Sequence, residues 1–219
     1  MGCAPDVNPY DLKFFHLRGK VKSLTKENYE VFRENGEWKS GKAAAIDFNE
    51  KLWFDTNGNL KQMERYNEAY ELEEKLNTKI EADKVIEEIH YNPEGSLIGR
   101  SVITEHTDEK IAYKQINSKG KLLAEGAFFF SESDVVAWEE IHKYDPGFET
   151  PRTFKLYYEY DADNNIIKQT LKASNGIVLR MDKFEYIAFD EYNNWTKMLL
   201  YQAENEMPTT IILRTIEYY

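Results

Sequence analysis

From about position 50 to the end of the chain, short apolar-rich runs alternate with polar clusters, and one arrangement of the two recurs. An apolar residue is followed by Asp or Asn, two variable residues, Gly or Asn, a polar residue and a second apolar residue. The pattern reads Phe54-Asp55-Thr56-Asn57-Gly58-Asn59-Leu60, then Tyr91-Asn92-Pro93-Glu94-Gly95-Ser96-Leu97, then Ile116-Asn117-Ser118-Lys119-Gly120-Lys121-Leu122. Two later copies put Asn where Gly stood: Tyr160-Asp161-Ala162-Asp163-Asn164-Asn165-Ile166 and Phe189-Asp190-Glu191-Tyr192-Asn193-Asn194-Trp195. The leading Asp or Asn can accept a hydrogen bond from the backbone two residues on, which caps a turn. The Gly or Asn supplies the left-handed residue that folds the chain back as a hairpin. Glu34-Asn35-Gly36-Glu37 and Ser174-Asn175-Gly176 add two further turns.

The runs between turns read as strands: residues 156–160 enter one turn and 166–171 leave it, 184–189 enter another and 195–201 leave it, and 210–219 form the last. Apolar residues fall on both faces of several runs. The second face must therefore be partly covered, by sheet curvature, a second layer or a partner. Residues 67–76 have helix-forming composition, but Asn77-Thr78-Lys79-Ile80-Glu81 breaks the helical period, so strand or a long hairpin is expected over 67–88. Residues 144–153 hold two of the six prolines and make the best internal loop and candidate sub-domain boundary. The expected fold is mainly all-β: an antiparallel β-meander of consecutive hairpins, as a curved single sheet or an open barrel-like or spiral sheet, with little helix. Residues 1–12 are expected as a disordered tether and 13–219 as one continuous repeat domain.

Composition narrows the function classes. The 219 residues carry 39 acidic against 28 basic side chains, a net charge of −11, with no basic cluster. Nucleic acid is thus not an expected partner, since neutralising phosphates supplies most of that binding energy. The 15 tyrosines and 12 phenylalanines suit a sheet with one packed and one wet face. No apolar run approaches the ~20 residues of a membrane helix. A single cysteine, Cys3, excludes an intramolecular disulfide.

Gly2-Cys3 looks like the end of a bacterial lipobox, in which the cysteine becomes the lipidated first residue of the mature protein. The polar, Pro-rich stretch Ala4-Pro5-Asp6-Val7-Asn8-Pro9 would follow it as a tether. On this reading the membrane is met only through a lipid on Cys3 and the protein sits in the cell envelope. With an incidental cysteine it would be cytoplasmic. The repeats themselves resemble the YD (Rhs-type) and MORN-like β-hairpin repeats of bacterial surface and secreted proteins, on Tyr158-Glu159-Tyr160-Asp161 followed by Asn164-Asn165 and on residues 54–60. Residues 189–197 with Arg214-Thr215-Ile216-Glu217-Tyr218-Tyr219 resemble the C-terminus of uncharacterised Bacteroidetes-type lipoproteins. The resemblance spans residues 50–219. It departs from true YD repeats in irregular spacing and in the loss of Gly from the last two turns. It implies a surface protein without catalytic residues in its repeats.

Catalytic and metal signatures are missing from the sequence. His16, His90, His106 and His142 show no metal-ligand spacing, and no nucleophile elbow, phosphate loop or dinucleotide fingerprint occurs. Asp161-Ala162-Asp163-Asn164-Asn165 begins like a calcium loop but lacks its Gly and distal Glu. No cofactor or metal is expected. The positive signal is aromatic: Trp38, Trp53 and Trp138 are candidate ligand-binding rings, while Trp195, at the position of Leu60 in the repeat, reads as core. The first expectation is a non-enzymatic surface module that binds a protein, peptide or glycan through its sheet face. The alternatives are a carrier of a lipid or other apolar ligand in a half-barrel cavity, and a glycan hydrolase with a carboxylate pair.

Overall fold

The computed structural model describes residues 11–107, 109–131, 135–203 and 205–219. Among these, no residue is helical and fifteen strands follow one another: β1 (Val21–Glu34), β2 (Glu37–Ala43), β3 (Asn49–Phe54), β4 (Leu60–Tyr66), β5 (Leu72–Glu81), β6 (Lys84–Tyr91), β7 (Leu97–His106), β8 (Lys110–Asn117), β9 (Leu122–Phe130), β10 (Val136–Lys143), β11 (Arg152–Tyr160), β12 (Ile166–Ala173), β13 (Val178–Phe189), β14 (Trp195–Gln202) and β15 (Thr210–Tyr218). The strands over 72–91 bear out the hairpin reading of residues 67–88. Residues 144–151 connect β10 and β11, which pair directly with each other.

All neighbouring pairs are antiparallel, and the sheet closes. One edge of β1 pairs with β15 over Val21–Glu30. Its other edge pairs with β3 over Ser23–Lys26 and then with β2 over Tyr29–Glu34. Fourteen strands, β1 with β3 to β15, thus form a barrel, and β2 is an extra strand carried on the upper part of β1. The open or spiral sheet expected from the hairpin pattern is corrected to a closed barrel. The physical reason is the edge: β1 and β15 would each expose a row of unpaired backbone groups, and pairing them removes both edges.

The five repeated turns form as the sequence predicts. Asp55, Asn92, Asn117, Asp161 and Asp190 each accept backbone N–H bonds from the turn that follows. Gly58, Gly95, Gly120, Asn164 and Asn193 all have positive φ. A sixth copy lies at Tyr66-Asn67-Glu68-Ala69-Tyr70-Glu71-Leu72. Asn67 caps it through Ala69 and Glu71, and Tyr70 takes the left-handed position at φ 59°. Its disguise is the tyrosine, because a residue with a Cβ rarely adopts that conformation.

Antiparallel strand order sorts these turns to two ends. Turns 55–59, 161–165 and 190–194 share one end, and there the residue after the left-handed position is a buried asparagine: Asn59, Asn165 or Asn194. Turns 92–96 and 117–121 lie at the other end, where Ser96 and Lys121 stand exposed in the same place. Residues 11–18 fill the first end as a plug and meet Asn59, Asn194 and, through Arg18 to Asp163 O, the third turn. Leu12 N–H donates to Gly58 O at 3.0 Å. Leu12 also lies where a side chain on Gly58 would have to be, with Cδ1 3.1 Å from that position. Asn194 behaves as a strand partner for the plug: its Oδ1 accepts from Arg18 N–H at 2.7 Å and its Nδ2 donates to Arg18 O at 2.9 Å and to the Tyr218 hydroxyl at 2.8 Å. Asn194→Ala removes the partner of those part-buried groups. It is expected to cost about 1–3 kcal/mol in urea denaturation, against a few tenths for an exposed position such as Ser96→Ala.

The plug identifies the inner face. Leu12, Phe15 and Leu17 pack with Leu24, Leu52, Phe54, Met63 and Leu76, while Phe14 packs with Ile111, Tyr113 and Phe128 across the lumen. The outer face is built differently. Positions opposite one another on the outside carry paired charges, Lys75–Glu64 at 3.3 Å, Lys155–Glu140 at 2.9 Å and Lys168–Glu159 at 2.8 Å, and Arg100–Glu87 pairs diagonally at 3.3 Å. Lipid-facing barrel walls instead carry an apolar band, and a charge at the bilayer midplane costs about 2–4 kcal/mol. Among the described residues no helix is long and apolar enough to cross a membrane.

Candidate functional site in the barrel lumen

Fourteen strands enclose more space than their own side chains fill. The plug closes one end. From the other end the β2–β3 loop, residues 44–48, dips inward and places Ile46 against Trp195, Met198, Leu200 and Ile212. Asn28 on β1 holds this loop. Its backbone carbonyl accepts from Ala44 N–H at 2.9 Å, and its Nδ2 donates to Phe48 O at 2.8 Å. Lys26, two residues earlier and on the same face, adds ion pairs to Asp47 at 3.2 Å and Glu50 at 2.7 Å.

Between plug and loop lies a cavity of about 240 Å³. Its wall is set by strand register. Tyr186, Met198, Ile212 and Asn28 stand opposite one another across β13, β14, β15 and β1, with Phe184 opposite Leu200 one step along. Phe15 and His16 of the plug form the floor, and Ile46 and Asp47 form the roof. Asp47, Gln169, Arg180 and Asp182 also border a neighbouring space of about 290 Å³, which reaches Leu156 and Leu171.

The wall mixes apolar and polar side chains, and some of its polar atoms find no partner among the described residues. Arg214 Nε and Nη1, Asp182 Oδ1 and Asn28 Oδ1 are buried and have no hydrogen-bond partner. All three residues line this one cavity. Buried polar groups are normally paired, because an unpaired one costs about 1–3 kcal/mol. The Asn28 amide is oriented by Phe48 O, which takes its Nδ2 and turns Oδ1 toward the free side. Asp182 has its other oxygen on Arg180 Nε at 2.7 Å. Arg214 lies over Trp195, with its guanidinium carbon 3.6 Å from the ring centre, a cation–π contact. Burial pulls the Arg214 guanidinium down to about 9, and Tyr186 and Glu50 offset that only in part. Burial and the nearby Arg214 hold the His16 imidazole at about 4, so it is neutral at pH 7.

The adjoining inner wall shows what a compensated cation looks like. Arg65 pairs with Glu50 at 3.2 Å and Glu74 at 2.8 Å, and His90 Nδ1 lies 2.6 Å from Glu74. Burial disfavours the His90 charge, yet hydrogen bonds to Glu74 and Glu88 outweigh it and lift the imidazole to about 9. Further round, Glu139 is buried. Desolvation raises its carboxyl to about 7, although the Tyr113 hydroxyl donates to it at 2.6 Å.

The aromatic candidates fall elsewhere and apart. Trp38 is on the extra strand β2 beneath Arg33, and Trp53 is on the outer face of β3 beneath Lys51. Trp138, on the outside of β10, stacks on Phe129 with centroids 3.8 Å apart, and Lys155 covers it. Cys3 lies outside the described residues. Trp195 is buried, as its repeat position predicts, and also forms part of the cavity wall. Among the described residues no cluster of potential metal ligands forms. Arg214, Asp182 and Asn28 escaped the sequence reading. For Arg214 a signal exists: it is a lone charge two residues from Ile212 and two from Ile216, on the apolar face of the last strand.

No protein-family model and no curated protein matches this chain. Among solved structures, a porin-like protein from Bacteroides uniformis is similar over 97% of this chain and 100% of its own, at 10% sequence identity and a TM-score of 0.46.

Proposed function

We propose that this protein is a non-enzymatic binding barrel that carries a small molecule in its lumen. The observation that supports this is that Asn28, Asp182 and Arg214 all present unpartnered buried polar atoms along one cavity that also carries a large apolar surface. An apolar pocket with a few convergent polar groups is the usual form of a small-ligand site. The outer wall favours the lumen over the sheet face, because lysines already lie over Trp53, Trp138 and Tyr157. Those paired charges suit a barrel standing in water, and attachment to the cell envelope then goes through a lipid on Cys3.

The test is a thermal-shift and native mass-spectrometry screen of small metabolites against the protein and a lumen-filled variant. Leu200 is 5% exposed and lines the cavity. Leu200→Trp fills the space, and Ile166→Trp fills it from another wall. Ligands are expected to shift the parent and leave both filled, folded variants unmoved. Equal shifts in parent and filled variants, or none in either, end the proposal.

A further inference from the structure

Resting on that reading, we infer that the ligand is a small organic acid with a second, hydrogen-bond-donating group, its carboxylate received by Arg214 and its donor by Asn28 on the neighbouring strand. The orphaned atoms are of two kinds. Arg214 offers unmatched donors and a charge, whereas Asn28, on the paired strand and two residues from the partner of Arg214, offers an unmatched acceptor. A purely apolar ligand would leave all of them unpaired. A simple anion would answer the guanidinium alone.

The charges around the site point the same way. Lys26 in the cavity wall is matched by Asp47 and Glu50, and Arg180 by Asp182. Among the described residues no ion pair forms with Arg214, and Glu50 acts on it only from a distance, so of the three cations in this wall it is the one without a paired anion. A carboxylate or similar planar oxyanion is the natural complement to a guanidinium. Size sets the remainder of the molecule. A dry cavity of ~150 Å³ holds benzene, and this one measures about 240 Å³. The space suits one ring or a branched chain bearing two short polar groups. Trp195, already stacked on Arg214, offers its surroundings to that body.

Four probes that share one benzyl frame separate the contributions: mandelate, phenylglycine, phenylacetate and benzyl alcohol, measured by calorimetry on the whole chain. Mandelate or phenylglycine is expected to bind at least tenfold tighter than benzyl alcohol, with phenylacetate between. Arg214→Met should erase the advantage of the acids and leave benzyl alcohol unchanged. Arg214→Lys, which keeps the charge, should restore part of that advantage. Asn28→Ala should reduce mandelate and phenylglycine more than phenylacetate. The inference is overturned if the acids bind no better than benzyl alcohol, or if Arg214→Met leaves them unaffected, while Leu200→Trp still abolishes binding. The carrier reading survives that result. If no probe binds, or Leu200→Trp and Ile166→Trp bind as the parent does, the carrier reading falls and the inference with it.

Discussion

Glu139→Gln is expected to abolish a pH dependence of stability amounting to about 3 kcal/mol between pH 4.5 and 7. In the folded barrel the Glu139 carboxyl is raised from 4.5 to about 7. Between those values the native state holds a proton that the unfolded chain has released. Stability therefore falls as pH rises through this window. The contribution is full below about 4.5 and gone above about 7, and at ~1.4 kcal/mol per pH unit it comes to about 3 kcal/mol. The geometry behind the shift is a close approach. Tyr113 on β8 reaches Glu139 on β10 by crossing β9 at Gly126, where a Cβ would sit 2.7 Å from the tyrosine hydroxyl. Desolvation by the lumen wall and the tyrosine then outweighs the hydrogen bond. Glutamine stays neutral and can still accept from Tyr113. Urea denaturation of both proteins at pH 5, 6, 7 and 8 measures the difference. Other groups, including His90, titrate alike in both and cancel. Parallel stability profiles would show that Glu139 is ionised in the native barrel throughout.

What the sequence discloses about this fold is what depends on neighbours along the chain. The Asp or Asn caps and the left-handed Gly or Asn are satisfied within five residues, so Asp55, Asn92, Asn117, Asp161 and Asp190 could be read directly. Closure could not be read that way. It rests on β1 meeting β15 from the far end of the chain, and no local signal carries that pairing. The two ends of the barrel were half visible. The three turns that hold a second Asn are the three that meet the plug, a distinction present in the sequence but meaningless until the ends are known. Repeat position also proved a partial guide to burial: Leu60 and Trp195 are core at the plugged end, while Leu97, their equivalent at the other end, is exposed. The candidate site was hidden for a related reason. Asn28 and Arg214 lie on strands from the two ends of the chain that pair only on closure, Asp182 lines the same cavity from β13, and each looks like an ordinary polar strand residue alone. The polar residues of a barrel lumen blur the period-two pattern that would otherwise separate the faces.

The double variant Phe14→Ala/Phe15→Ala is expected to destabilise the barrel by about 4–6 kcal/mol. Each ring packs edge-on against the wall, Phe14 on Phe128 at 5.2 Å and Phe15 on Phe54 at 5.7 Å between centroids. Truncating a fully buried phenylalanine costs about 3–5 kcal/mol. Both are half-buried, so each falls toward the lower end, and they touch at 5.7 Å, so their losses are not independent. The sum approaches the whole stability of many domains of this size, ~5–15 kcal/mol. The two single variants then separate structure from function. Phe15 forms part of the cavity floor, whereas Phe14 packs on the opposite wall outside it. Phe14→Ala should lower the denaturation midpoint and keep ligand affinity at temperatures where the barrel is folded. Phe15→Ala should lower both and admit a hydrophobic dye to the lumen. A loss below about 2 kcal/mol in the double variant would mean that the fourteen-strand wall holds its shape without the plug, and that the cavity floor is carried by the barrel alone.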